Sequence, residues 1–209
     1  MSIDIVAFIL KSRGMRHMTR FQNTPRIKEN NVAEHTGYVA MYTLLIWRYL
    51  DMVDDYGDLL SKAILHDVHE GISVEMPQNV KRFLRKSVSV IEDYAKDEIF
   101  KGMGEMLRCD LDISPIKGLI LKCADIIDAL VYSCEEYHMG NKFFLAIIKE
   151  IKSGVRFVAD SIDDELGKPE RKMSTFIDML FVSLGIDNIK GELADMDNMT
   201  HIARGFCDG

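Results

Sequence analysis

The residues best suited to chemistry lie in Ala63-Ile64-Leu65-His66-Asp67-Val68-His69-Glu70, where an apolar run ends in an adjacent His-Asp pair and a glutamate follows. On a helix turning about 100° per residue, Asp67 stands roughly 100° from His66, and Glu70 roughly 40°, between them and one turn on. Imidazole and carboxylate are ordinary ligands of a divalent metal, and the glutamate falls where it can handle a proton beside that metal. His69, at roughly −60° on the same count, points away from Asp67 and is left out of the site. Two ligands on one turn do not hold a metal, so the others must come from elsewhere in the chain.

Six histidines are available: His17, His35, His66, His69, His138 and His201. His35 follows Glu34 at the beginning of a helix with an apolar interior; its plainer reading is a capping or partly buried surface histidine. Asp125 sits in Leu121-Lys122-Cys123-Ala124-Asp125-Ile126-Ile127-Asp128-Ala129-Leu130. An acid flanked by apolar residues is costly to bury unless it is paired or bound to a metal. Asp128, three residues on, is the competing choice. It could accept a hydrogen bond from a metal-bound histidine or face solvent.

The elements that must carry these residues read as helices throughout. The apolar spacing predicts helices over 3–13, 32–53, 58–71, 80–106, 116–137, 143–158 and 174–184. Between them, 15–30, 71–79, 109–115 and the acid-rich 159–171 read as loops, and the tail from 188 to 209 is unassigned. No alternating strand and no internal repeat is present, so the fold class is all-α, with about seven to nine helices. Residues 1–160 form the core, and 161–209 a C-terminal helical extension of the same domain. The four cysteines, Cys109, Cys123, Cys134 and Cys207, lack CxxC spacing, which favours free thiols over disulfides or a zinc knuckle.

Charge narrows the function. Ile5 to Lys28 holds six cations and no acid (Lys11, Arg13, Arg16, Arg20, Arg26, Lys28), and Lys81, Arg82, Arg85 and Lys86 add four. Setting those ten aside from the net −7 leaves about −17 on the rest. Such a chain is unsuited to a nucleic-acid polymer but can hold a small anion such as a nucleotide. No apolar run reaches the ~18 residues needed to span a bilayer, and Asp4 interrupts the apolar start, so neither membrane nor signal peptide is expected and the location is cytoplasmic.

The ordered set His35, His66-Asp67 and Asp125, all on helices, resembles the HD-domain superfamily of metal-dependent phosphohydrolases. Arg20-Phe21, Asn31-Val32-Ala33-Glu34-His35-Thr36, His66-Asp67-Val68-His69-Glu70, Glu75-Met76-Pro77 with Val80-Lys81, Ala124-Asp125 and Gly140-Asn141 look like the YfbR-like 5′-deoxynucleotidases. Related phage enzymes that hydrolyse dATP to deoxyadenosine and triphosphate share the scheme. The resemblance covers roughly residues 8–160 and implies an HD-domain helical bundle. It implies metal ligation by His35, His66, Asp67 and Asp125, with a divalent ion such as Co²⁺ or Mn²⁺. It makes Arg20 the residue that orients the phosphate and Glu70 the acid beside the attacking water. Phe21 would lie against the nucleoside, Glu75, Met76, Pro77 and Gln78 would contact the sugar, and Lys81 would lie beside the phosphates. The nucleotidases commonly carry Trp at the position of Phe21 and Asp at that of Glu75, so base and sugar preference do not transfer.

The expected activity is cleavage of deoxynucleoside monophosphates to deoxynucleoside and phosphate. The alternative is a dNTP triphosphohydrolase that breaks the same bond, with Arg16, His17 and Lys81 to Lys86 as extra cations. A catalytically silent nucleotide-binding HD domain would have less need of Glu70, and a helical interaction module would leave Asp125 unexplained. The resemblance and the apolar helix faces also predict a homodimer or larger homo-oligomer.

Overall fold

Helices make up most of the described chain. The computed structural model describes residues 5–73, 83–101, 107 and 113–189. Seven α-helices lie among them: α1 Ile5–Ser12, α2 Val32–Tyr49, α3 Gly57–Leu65, α4 Arg85–Ile99, α5 Pro115–His138, α6 Phe144–Leu166 and α7 Lys172–Ser183. Three 3₁₀ turns accompany them, Arg13–His17, Val68–Gly71 and Ile186–Ile189, and no strand is present among the described residues. No helix there is long and apolar enough to cross a membrane. Two compact units can be distinguished, Met1–Asp128 and Ala129–Gly209, and α5 runs through the boundary. Arg20, His35, His66, Asp67, Glu70, Asp125 and Asp128 lie in the first unit.

Helix α2 starts where its cap requires. The Asn31 side chain accepts a hydrogen bond from the Glu34 N–H at 3.0 Å, which satisfies one of the free donors of the first turn. The helix stops at Tyr49, four residues short of the predicted end. Asp51 turns left-handed at φ 55°, and the N–H groups of Asp51 and Met52 reach back to the Arg48 and Trp47 carbonyls.

Helix α3 departs further from the periodic expectation. It ends at Leu65 rather than running to Gly71. The His66 ring nitrogen Nδ1 lies 2.8 Å from the Ala63 carbonyl, the group that the Asp67 N–H would use if the helix continued. Asp67 adopts φ −113°, ψ 10°, and the chain tightens into the 3₁₀ turn. Packing makes that turn worthwhile. Val68 is buried in a cluster with Met15, Val32 and Ile99, against which Phe8, Met18, Leu65 and Phe100 also pack. Four segments far apart in sequence thus meet behind the His-Asp pair.

In the second unit, residues 159–166 are helical, not loop. Val155, Val158, Ala159 and Ile162 continue a buried stripe, so the acids between them do not end α6. Gly167 ends it, at φ 60°. Those acids have partners. Asp163 is buried and accepts the Met173 and Ser174 N–H groups at 2.9 and 2.8 Å, capping the first turn of α7 from a distance. Asp160 and Asp164 pair with Arg171 at 2.8 and 2.9 Å.

The remaining elements follow the sequence closely. Of the helix expected over 80–106, the structure describes α4 and its flanks. Cys123 and Cys134 are buried free thiols, each pushed up to about 12 by burial. Glu75, Met76, Pro77, Gln78 and Lys81, with Arg82, Cys109, Cys207 and His201, lie outside the described residues.

Candidate active site

Three helices and one turn bring the site together. His35 is in the first turn of α2 and fully buried, His66 and Asp67 form the corner after α3, and Asp125 and Asp128 lie one turn apart on α5. The two imidazoles are fixed from behind. His35 Nδ1 is 2.6 Å from the buried carboxylate of Asp128, and His66 Nδ1 faces the Ala63 carbonyl, which can only accept. Both Nδ1 atoms therefore carry hydrogen, and both Nε2 atoms are left to act as ligands. Asp128, open in sequence between support for a histidine and solvent, takes the first role.

The Nε2 atoms lie 3.4 Å apart. Asp67 Oδ2 is 3.2 Å from His66 Nε2 and 3.6 Å from His35 Nε2, and Asp125 Oδ1 is 3.4 Å from His35 Nε2. Donors that share one ion at roughly 2.1 Å stand roughly 3.0–3.4 Å apart for right-angled to tetrahedral geometry. The spacing thus fits a single divalent ion. His35, His66 and Asp125 each offer an atom within 4.8 Å of the other two, and Asp67 joins them through its contacts with both imidazoles.

Electrostatics agree with geometry. Burial alone would lower the pKa of His35, but its bonds to Asp125, Asp128 and Asp67 outweigh burial and raise it to about 10. Burial opposes ionisation of Asp67 and Asp125 too, yet His35 holds both well below the usual carboxylate range, helped by His66 at Asp67 and by Lys122 at Asp125. The cluster is built around positive charge. A proton on His35 and a divalent ion would meet the same demand, so an ion bound there would have to expel the proton, and its binding would weaken as pH falls.

Arg20 reaches the cluster from a loop pinned at both ends. Thr19 and Asn31 form an antiparallel bridge, the Arg20 N–H bonds to the Asn30 carbonyl at 2.9 Å, and the Val32 N–H to the Met18 carbonyl at 2.9 Å. This holds Arg20 Nη1 4.0 Å from Asp67 Oδ2. Its guanidinium lies over the Phe21 ring, 5.9 Å from the centroid, and Phe21 is left-handed at φ 54°, a backbone state that non-glycine residues seldom adopt away from sites of special demand.

Glu70 follows in the 3₁₀ turn, buried, with its N–H on the Asp67 carbonyl at 3.0 Å. His69 is buried beside it, and because the α-helix ends at Leu65 and His69 lies in the 3₁₀ turn, the helical angle that set it apart does not apply. Sequence reasoning missed Lys122, whose Nζ lies 2.7 Å from Asp125 Oδ2. Its i, i+3 spacing was the available signal.

The family model described as 5′-deoxynucleotidase YfbR-like matches residues 7–163. A 4′-phosphooxetanocin A phosphatase of Priestia megaterium is 24% identical over 152 residues, 66% of this chain and 76% of that protein. Among solved structures, an HD-domain phosphohydrolase of Listeria innocua superposes with a TM-score of 0.73 at 18% identity, covering 94% of this chain and 99% of that one. A protein of Pyrococcus horikoshii gives a TM-score of 0.64 at 20% identity, covering 82% and 99%. The fold is that of the HD domain.

Proposed function

The chain belongs to the 5′-deoxynucleotidase YfbR-like family and is a nucleotide phosphohydrolase, and from that premise we propose that it cleaves the 5′ phosphate ester of deoxynucleoside monophosphates. One observation carries the reading. Two imidazoles whose Nδ1 atoms are held by Asp128 and Ala63 aim their Nε2 atoms at one point, and Asp67 and Asp125 meet them there. We assign His35, His66, Asp67 and Asp125 as the ligands of a divalent ion, with Mn²⁺ or Co²⁺ suited to the mixed nitrogen and oxygen set. Bound there, such an ion lowers the pKa of water and screens phosphate charge.

The protein's own groups do the rest. Arg20 offers a planar fork that grips two phosphate oxygens at once and fixes the line of attack. Its position beside Asp67 places that fork next to the ligands. Glu70 takes the proton of the attacking water or passes one to the 5′ oxygen as it leaves. Phe21 lies against the nucleoside, while Glu75 to Gln78 and Lys81, which the family resemblance implies for sugar and phosphate, lie outside the described residues. The enzyme acts as a homodimer or larger homo-oligomer.

Asp128 touches neither metal nor substrate in this scheme. Asp128→Asn keeps the shape but weakens the hold on the His35 tautomer, and metal affinity is expected to fall about 10–100-fold, the usual effect of losing such support. Titration calorimetry with Mn²⁺ reads this directly; unchanged affinity would remove Asp128 from the site.

Substrate choice turns on the phosphate chain. Release of phosphate from dAMP and of triphosphate from dATP breaks the same bond, between the α-phosphorus and the 5′ oxygen. The relative of Priestia megaterium is named as a phosphatase, in keeping with removal of a single phosphate. Steady-state kinetics on dAMP and dATP, with products separated by chromatography, test the reading. The expected result is phosphate from dAMP. Intact triphosphate from dATP at a kcat/KM about tenfold above dAMP would instead establish a dNTP triphosphohydrolase.

A further inference from the structure

We propose that a backbone-to-backbone contact between Gly14 and Gly71 positions Glu70 for proton transfer, which makes Gly14 a positioning residue of this enzyme. The inference rests on the reading of Glu70 given above.

Gly14 lies in the 3₁₀ turn Arg13–His17, and Gly71 ends the 3₁₀ turn Val68–Gly71. A Cβ on Gly14 would stand 2.0 Å from the Gly71 carbonyl oxygen, 2.9 Å from its carbon and 3.2 Å from its Cα. All three are backbone atoms, so no side-chain rotation can make room. Seen from the other side, a Cβ on Gly71 would meet the Lys11 carbonyl oxygen at 3.0 Å, the Met15 nitrogen at 3.2 Å and Met15 Cγ at 3.3 Å. Neither glycine is among those with positive φ, which are Gly140, Gly167 and Gly185. Conformational freedom therefore does not explain them. Close approach does.

What the contact positions follows from its neighbours. Gly71 is bonded to Glu70, so a displacement of the turn moves that carboxylate directly. Met15 and Val68, one from each turn, are packed in the same buried cluster. His35, His66 and Arg20 are anchored outside the Val68–Gly71 turn, and Asp67 precedes that turn, at the end farther from Gly71 than Glu70 is. His35 is held by Asp128, His66 by the Ala63 carbonyl, and Arg20 by the hydrogen bonds that tie residues 18–20 to 30–32. A methyl on Gly14 must push the Val68–Gly71 turn away by about 1 Å or more to reach ordinary contact. A misplacement of that size at a reacting group can cost about 10²-fold in rate. The damage should fall on Glu70 and leave metal and substrate binding largely alone.

The test is a double-mutant cycle of Gly14→Ala with Glu70→Gln on the Mn²⁺-loaded full chain, with dAMP and dATP both offered as substrate and Mn²⁺ content measured for every variant. Gly14→Ala is expected to lower kcat by about tenfold or more, with KM and Mn²⁺ stoichiometry within about twofold. In the Glu70→Gln background the same methyl should cost less than about twofold, because the group it misplaces is already gone. Gly118→Ala, whose added methyl meets nothing within 4 Å, serves as the control and should keep wild-type kcat. If Gly14→Ala does not fold, Gly71→Ala, with its milder overlaps, takes its place in the cycle. A loss that multiplies in full with Glu70→Gln, or that comes with matching loss of metal, would overturn the proposal and leave the contact a purely structural one. Wild-type turnover in Glu70→Gln alone would overturn the underlying reading instead, and the single variant tells the two failures apart.

Discussion

Asp67→Ala is expected to strip most bound metal from the protein and lower phosphohydrolase activity by roughly 10³-fold or more, while the helical circular dichroism stays near wild type. Asp67 Oδ2 is the atom that faces both imidazoles, 3.2 Å from His66 Nε2 and 3.6 Å from His35 Nε2, with Arg20 Nη1 4.0 Å away. Its removal would take one negative ligand from the proposed set of four and also loosen the arginine. Charge stabilisation by a bound metal contributes several kcal/mol, which is the source of the roughly 10³-fold figure. The fold should survive, because Asp67 follows α3 rather than supporting it, and Val68 keeps its place in the buried cluster.

Metal analysis by mass spectrometry, run beside the activity assay, checks both halves of the expectation. Wild-type stoichiometry with wild-type activity would mean the ligand assignment is wrong. In the unsubstituted enzyme, metal retention should fall on acidification. Asp67 and Asp125 remain ionised well below the usual carboxylate range, so the competing proton is the one His35 takes back, since its pKa is raised to about 10. Affinity should thus rise with pH across the neutral range.

Glu70→Gln should give the opposite pattern. The substitution is isosteric, so the buried 3₁₀ turn keeps its packing, yet the side chain can no longer exchange a proton. Metal content and dAMP binding are expected to stay near wild type, while turnover falls by about 10²-fold or more, the scale of a positioned acid–base group. Single-turnover rates together with equilibrium binding of dAMP separate chemistry from affinity. Near-normal turnover would pass the proton role to another group, and His69, buried one residue away, is the first to examine.

Much of this protein is legible in its sequence, and for local reasons. Helices follow from apolar spacing, and the start of α2 from Asn31, whose side chain caps the first turn wherever the helix packs. The order His35, His66-Asp67, Asp125 is a pattern of residue types, and its resemblance to the HD domain needs no distance to be read. An acid set among apolar residues on α5 marked Asp125 because burial of charge is costly in any context.

Tertiary structure decided what depends on partners distant in the chain. The end of α3 at Leu65 reflects the His66 ring on the Ala63 carbonyl and the burial of Val68 with Met15, Val32 and Ile99, and periodicity carries no record of either. The acids of residues 160–164 looked like a loop because their partners, Arg171 and the first turn of α7, come later in the chain. Asp128 could face solvent or support a histidine until α2 and α5 were brought together 2.6 Å apart at His35 Nδ1. Gly14 carries no sequence signal of this contact, since the atom that excludes its Cβ belongs to Gly71, 57 residues away. A sequence records which groups a chain has and which local faces they share; which of those groups meet is set by close packing, and packing is a property of the folded chain as a whole.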